Sequence, residues 1–141
     1  MSAGYSGTPL TTKLGLKDGM RALLIGVPDA LPEISGFPEF AGVEHALPSP
    51  VGRVFDYAHV FETDRSRLEA LVTGVRASLK PDAMLWISWP KKASKVKTDI
   101  TEDVLRDIFL PTGLVDVKVA AMDETWSGLK FMFRKELRAG L

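Results

Sequence analysis

The sequence predicts an α/β domain of three layers, a mostly parallel sheet with helices on both faces that ends in an antiparallel hairpin. Three observations carry the prediction. Residues 20–27 and 83–89 are nearly continuous apolar runs, as expected of strands covered on both faces in a parallel sheet. Between residues 54 and 113, strand-like segments alternate with segments whose apolar residues recur at helical spacing, the pattern of a layered α/β fold. The last two strand-like segments are joined only by Asp123-Glu124-Thr125-Trp126-Ser127-Gly128, and so short a link favours antiparallel pairing. A length of 141 residues, 45% hydrophobic and 26% charged, suits one globular domain able to hide about two thirds of its surface. The expected organisation is a single domain over 1–141, with an N-terminal arm and short helix in 1–19 and the α/β core in 20–141.

Taken in order, Thr8-Pro9 opens a short helix, since proline suits a first helical turn, and Leu10, Leu14 and Leu16 dock it. The strand over 20–27 follows and Pro28 ends it. Between 28 and 53, Pro28, Pro32, Pro38, Pro48 and Pro50 with Gly36, Gly42 and Gly52 leave room only for a short helix near 29–35 and a short strand near 43–47. The aromatic and branched residues of 54–61 form the next strand. A helix begins with Thr63 as cap and Asp64 in its first turn, buries Leu68, Leu71, Val72, Val75 and Leu79, and closes at Lys80-Pro81. After the strand 83–89, Thr101-Glu102-Asp103 start a helix whose buried stripe is Val104, Leu105, Ile108 and Phe109, and Pro111 and Gly113 stop it. The closing strands are 114–122 and 129–135.

Composition excludes several functions. The formal charge is +0, from 18 basic and 18 acidic side chains, so no overall field recruits nucleic acid or an anionic membrane, and any attraction for anions is local. Lys91, Lys92, Lys95 and Lys97 could meet phosphates, but nucleic-acid binding ordinarily shows a broader basic face. Cys is 0, which removes disulfides, thiolate metal sites and cysteine nucleophiles and fits a reducing compartment. No leader-like basic start with an apolar run and no bilayer-length apolar stretch is present, so the expectation is a soluble cytoplasmic protein.

The segment Phe55-Asp56 opening a strand, then a helix, then Leu79-Lys80-Pro81-Asp82-Ala83 leading into another strand resembles the middle of methyltransferase-like, Rossmann-like domains. In such enzymes the first strand runs into a glycine-rich turn that cradles the cofactor; here the text is Gly26-Val27-Pro28-Asp29, poor material for that turn. No acidic residue ends a clear second strand to hold a ribose. The missing turn counts against S-adenosylmethionine, and no cofactor is expected. Over nearly the whole chain, Gly4-Tyr5-Ser6-Gly7-Thr8-Pro9-Leu10, Trp89-Pro90-Lys91-Lys92-Ala93-Ser94-Lys95 and Asp123-Glu124-Thr125-Trp126-Ser127-Gly128-Leu129-Lys130 resemble the bacterial domain-of-unknown-function family three-zero-five-two. That resemblance implies one intact domain and transfers no activity.

In a parallel sheet the carboxyl ends of the strands share one edge, the expected crevice for ligands. There the sequence brings Gly26-Val27-Pro28, Phe61-Glu62-Thr63 and the loop 89–95, and also the turn 123–128 if strand 114–122 runs parallel to the others. Trp89, Lys91, Lys92, Ser94, Lys95, Asp123, Glu124 and Trp126 are the candidate ligand residues: ammonium groups attract phosphate or carboxylate, and indoles stack on rings or cations. The competing structural reading pairs Asp123 and Glu124 with the lysines and packs the tryptophans. His59, expected on the face of Phe55, Tyr57 and Phe61, reads as a core histidine, and His45 as solvent-facing; the two offer no metal site. Ser88-Trp89-Pro90-Lys91 matches S-x-x-K by text alone, since Ser88 ends a strand and does not start a helix. No catalytic residue is assigned. The leading expectation is a non-catalytic or degenerate methyltransferase-like domain binding an anionic small molecule or a partner at this edge. The rivals are a transferase with another cofactor site, and an interaction module built on the 4–10 arm and a Trp89/Trp126 patch.

Overall fold

A computed structural model describes residues 8–141, so the 4–10 arm lies largely outside the described residues. The elements run α1 (Leu10–Leu14), β1 (Arg21–Ile25), α2 (Pro32–Ser35), β2 (Gly42–Glu44), β3 (Phe55–Phe61), α3 (Arg65–Ser78), β4 (Leu79–Pro90), α4 (Glu102–Phe109), β5 (Leu114–Ala121), β6 (Trp126–Phe133) and α5 (Lys135–Arg138). The six strands form one sheet in the order β2-β1-β3-β4-β6-β5. β2, β1, β3 and β4 are parallel neighbours, whereas β6 pairs antiparallel with both β4 and β5. β5 therefore points the same way as β4. The expected fold, mostly parallel with an antiparallel end, is the one observed.

Alternation along the strands divides the core into two layers. On one face Leu23, Ala58, Val60, Leu85, Ile87 and Leu129 pack beneath α3 and α4, which contribute Leu68, Val75, Leu105 and Phe109. On the other, Ala22, Leu24, Tyr57, Phe61, Met84 and Trp86 meet Leu10 and Leu14 of α1 and Ile34 of α2. Trp86 is fully buried, and its Nε1–H donates to the Leu14 carbonyl at 3.1 Å, which ties α1 to the middle of the sheet. Among the described residues, no helix is long and apolar enough to cross a membrane.

The structure corrects several boundaries. Asp64, not Thr63, caps α3: its backbone is extended and its carboxylate accepts the Arg67 N–H. Leu79 belongs to β4, opposite Phe55, because Pro81 drives the preceding residue out of the helical region and the chain enters the sheet early. The register slips between Phe55 and Tyr57, so Phe55 packs under α3 and α4 while Tyr57, His59 and Phe61 face the opposite layer. The last strand begins at Trp126, three residues before the expected start. Gly128 is a strand glycine, not a turn glycine: a Cβ there would meet Met122 Cε at 2.7 Å, Ser88 Oγ at 3.0 Å and Trp86 Cε3 at 3.2 Å. The chain leaves the sheet at Arg134 and ends in α5, which no sequence signal announced.

Candidate functional site

β4 and β5 both deliver their carboxyl ends to the edge where β1 and β3 end. The lysine loop and the β5–β6 turn meet there through the backbone: Pro90 is in register with Trp126, and the Lys91 N–H donates to the Thr125 carbonyl at 2.7 Å. After Pro90 the chain makes a single 3-10 turn over Lys92–Ser94. The Ser94 hydroxyl donates to the Lys91 carbonyl at 2.6 Å and accepts the Val96 N–H, closing the loop on itself. Lys95 follows at φ 61°, the one non-glycine residue with positive φ among those described. A lysine in that conformation is strained, and such strain persists where surrounding structure imposes it.

This loop walls a cleft of about 410 Å³ lined by Trp89, Pro90, Lys92, Lys95, Val96, Lys97 and Thr101 among others. A neighbouring cleft of about 310 Å³ shares Lys97 and Thr98 with it and adds Thr63, Asp64, Arg67 and Asp99. The two acids are engaged. Asp64 accepts the Ser66 hydroxyl at 2.6 Å and the Arg67 N–H, which hold its carboxyl below the usual range. Asp99 accepts the Arg65 N–H at 2.7 Å. Among the described residues no carboxylate pairs with Lys92, Lys95 or Lys97, so the cleft carries a local positive charge inside a neutral chain.

The other candidates occupy the adjoining turn and do not line these clefts. Asp123 Oδ1 accepts the N–H groups of Thr125 at 2.8 Å and Trp126 at 2.7 Å, so its carboxylate shapes the turn and neutralises no lysine. Glu124 is exposed. Trp126 packs edge-on against Phe61, with ring centroids 5.1 Å apart, on the face opposite Trp89. Trp89 is only 8% exposed. The two indoles therefore form no common patch, because neighbouring strand positions 89 and 90 point to opposite faces and Trp126 pairs with Pro90. Trp89, Lys92 and Lys95 share a cleft, Lys91 and Ser94 build its loop, and Asp123, Glu124 and Trp126 hold the turn beside it.

At the end of β1, Gly26 has φ 73°, and a Cβ there would stand 2.7 Å from the Phe61 carbonyl oxygen. Its glycine is required by the close approach of β1 to β3. Val27 packs into the core, Pro28 offers no N–H, and α2 has a single turn led by Leu31 and Pro32 without a side-chain cap. One residue here was missed in the sequence: Glu44 ends β2 and is exposed, at the position where dinucleotide-binding folds place a ribose-binding acid. A three-residue strand is too short for alternation to reveal it. Exposed His45 beside it places Nδ1 3.2 Å from the Leu24 carbonyl.

His59 is fully buried between two hydroxyls, with Nδ1 2.7 Å from Tyr57 Oη and Nε2 2.7 Å from Ser88 Oγ. A neutral imidazole has one donor and one acceptor nitrogen, and both are used. Burial pushes its pKa down to about 3 and raises that of Tyr57. Ser88, buried in a strand, has no lysine chemistry to enter. Among the described residues, no group of three His, Asp or Glu side chains is placed to hold a metal ion.

These features can be compared with known proteins. No family model and no curated protein matches the chain. Solved structures do. A SAM-dependent methyltransferase from Aquifex aeolicus superposes with a TM-score of 0.62 at 16% identity, over 89% of this chain and 88% of that one. A type 11 methyltransferase from Sulfolobus solfataricus, itself described as putative, gives 0.61 at 13% identity over 89% and 90%. Magnesium protoporphyrin IX methyltransferase from Synechocystis PCC 6803 gives 0.57 at 9% identity, over 89% and 74%. The chain has a methyltransferase-like fold. At these identities the likeness concerns the fold, and activity has to be argued from the site.

Proposed function

We propose that this chain is a degenerate methyltransferase-like domain that binds an anionic small molecule at the carboxyl edge of its sheet and does not transfer methyl groups. The observation that carries the reading is the convergence of Lys92, Lys95 and Lys97, unpaired with any carboxylate among the described residues, on the cleft of about 410 Å³ beside Trp89. Clustered ammonium groups in a concave site raise the local concentration of phosphate or carboxylate ligands. Lys95, with its left-handed backbone, lines the cleft from the loop that the Ser94 hydrogen bonds close.

The β1 turn supports the second half of the reading. Its glycine is occupied by contact with Phe61, its next N–H but one is deleted by Pro28, and no long helix follows to present a free N-terminus. These residues do not fit an S-adenosylmethionine cradle, although Glu44 stands where a ribose acid belongs. The fold without its cradle is what a binding domain descended from such enzymes requires. The lack of cysteine supports a cytoplasmic setting, and the three segments quoted above support membership of the bacterial family three-zero-five-two.

Thermal denaturation with sugar phosphates and nucleoside diphosphates tests the proposal. A ligand present at about 100 times its dissociation constant adds about 2.7 kcal/mol. A saturable rise in Tm with one of these anions, lost in Lys92→Ala/Lys95→Ala, is expected. A rise that survives the double variant, or none with any anion, overturns the site.

A further inference from the structure

Over the antiparallel end of the sheet, on the face away from α3 and α4, stands a second group of cations that the cleft does not use. Lys118 and Lys130 are direct register partners across β5 and β6, just beyond the irregularity between Asp116 and Lys118. Partners in such a pair stand on one face of the sheet within about 5 Å at Cβ. Lys118 Nζ donates to the Lys13 carbonyl at 2.9 Å, which holds this ammonium over the layer that α1 covers. Lys130 is half-buried, and its pKa is lowered first by that burial and then by the charges of Lys118 and Lys17.

Among the described residues no carboxylate forms an ion pair with Lys118 or Lys130. Asp116, the nearest acid along β5, is on the other face with Arg106, 3.2 Å away. Like charges directly opposed across two strands oppose folding, and the register holds Lys118 and Lys130 together with Lys130 half-buried. An ammonium group is a compact charge with three rotatable donors, and two opposed on one face suit an oxyanion seated between them.

We propose that Lys118 and Lys130 form a second anion site, which takes a phosphate or pyrophosphate group of a small molecule. It lies on the sheet surface under β5 and β6 and is independent of the lysine-loop cleft. An anion seated there relieves the repulsion, so its binding restores Lys130 toward ordinary lysine basicity.

The test is a titration of the full chain with inorganic pyrophosphate, followed by residue-resolved NMR of the backbone amides and of the lysine side chains. Saturable shifts centred on residues 118 and 130 are expected, with a rise in the Lys130 pKa as the site fills. Lys130→Met should weaken this binding at least about tenfold. Lys118→Gln, an exposed substitution that leaves the core untouched, should weaken it as well, and Lys92→Ala should leave it unchanged. Shifts confined to residues 91–97, no saturable shift at 118 and 130, or affinity at those positions unaltered in both variants would overturn the site.

Discussion

The buried chain Tyr57–His59–Ser88 lets single residues be tested. His59 is neutral in the fold, and its pKa of about 3 lies below the ordinary value of 6.5. In the unfolded chain it takes up a proton as pH falls through about 6.5, whereas the folded chain does not until about 3. The unfolded state thus binds more protons across that window, so stability declines with falling pH by about 1.4 kcal/mol per unit once below about pH 6. Denaturant titrations between about pH 7 and 4 should show this slope, and His59→Phe should flatten it even though the variant is less stable. Tyr57→Phe leaves one imidazole nitrogen buried without a partner and should cost about 1–3 kcal/mol, read as a lower denaturant midpoint at unchanged m-value. Gly26→Ala should be damaging too, since φ 73° is strained for alanine and the Phe61 carbonyl, a backbone atom, cannot swing aside. Nothing in the text around His59 announced the network, because its partners come two and twenty-nine residues away along two strands whose register the sequence does not state.

At the scale of elements, caps and turns carry the predictions. Asp64→Ala removes the acceptor of the Arg67 N–H at the start of α3 and should lower stability by about 1 kcal/mol, whereas Thr63→Ala should be milder at that cap. Asp123→Ala deletes two backbone hydrogen bonds and should loosen the β5–β6 turn, with faster amide exchange at Thr125 and Trp126. The strands over 20–27 and 54–61 were legible because an apolar run bounded by proline or polar residues has little else it can be. The start of β4 was not legible. Leu79 fits the helical stripe of α3 as well as it fits a strand, and its pairing with Phe55 is a tertiary choice that local spacing does not contain. Trp126 and Gly128 read as loop because their turn chemistry is strong, yet the close packing of Gly128 on Trp86 and Ser88 draws both into β6. Of the candidate site, the lysine loop and its cleft followed from the strand that feeds it. The failure of Trp126 to join them follows from side-chain alternation across a pairing invisible in one dimension.

For the whole molecule, the mostly parallel sheet and its antiparallel end were legible in the alternation of strands with helices and in the short last turn, and the fold likeness to methyltransferases agrees with them, whereas the strand order is a tertiary fact that the sequence reading did not contain. The proposed loss of cofactor binding rests on one place, the end of β1, where contact with β3 takes the glycine and a proline takes the donor. A titration of the full chain with S-adenosylmethionine, followed through the backbone amides of Gly26, Val27 and Glu44, tests this most directly. The account predicts no saturable shift at those positions and no rise in Tm. Saturable shifts there, accompanied by stabilisation that grows with concentration, would contradict it and restore a methyltransferase-type cofactor site.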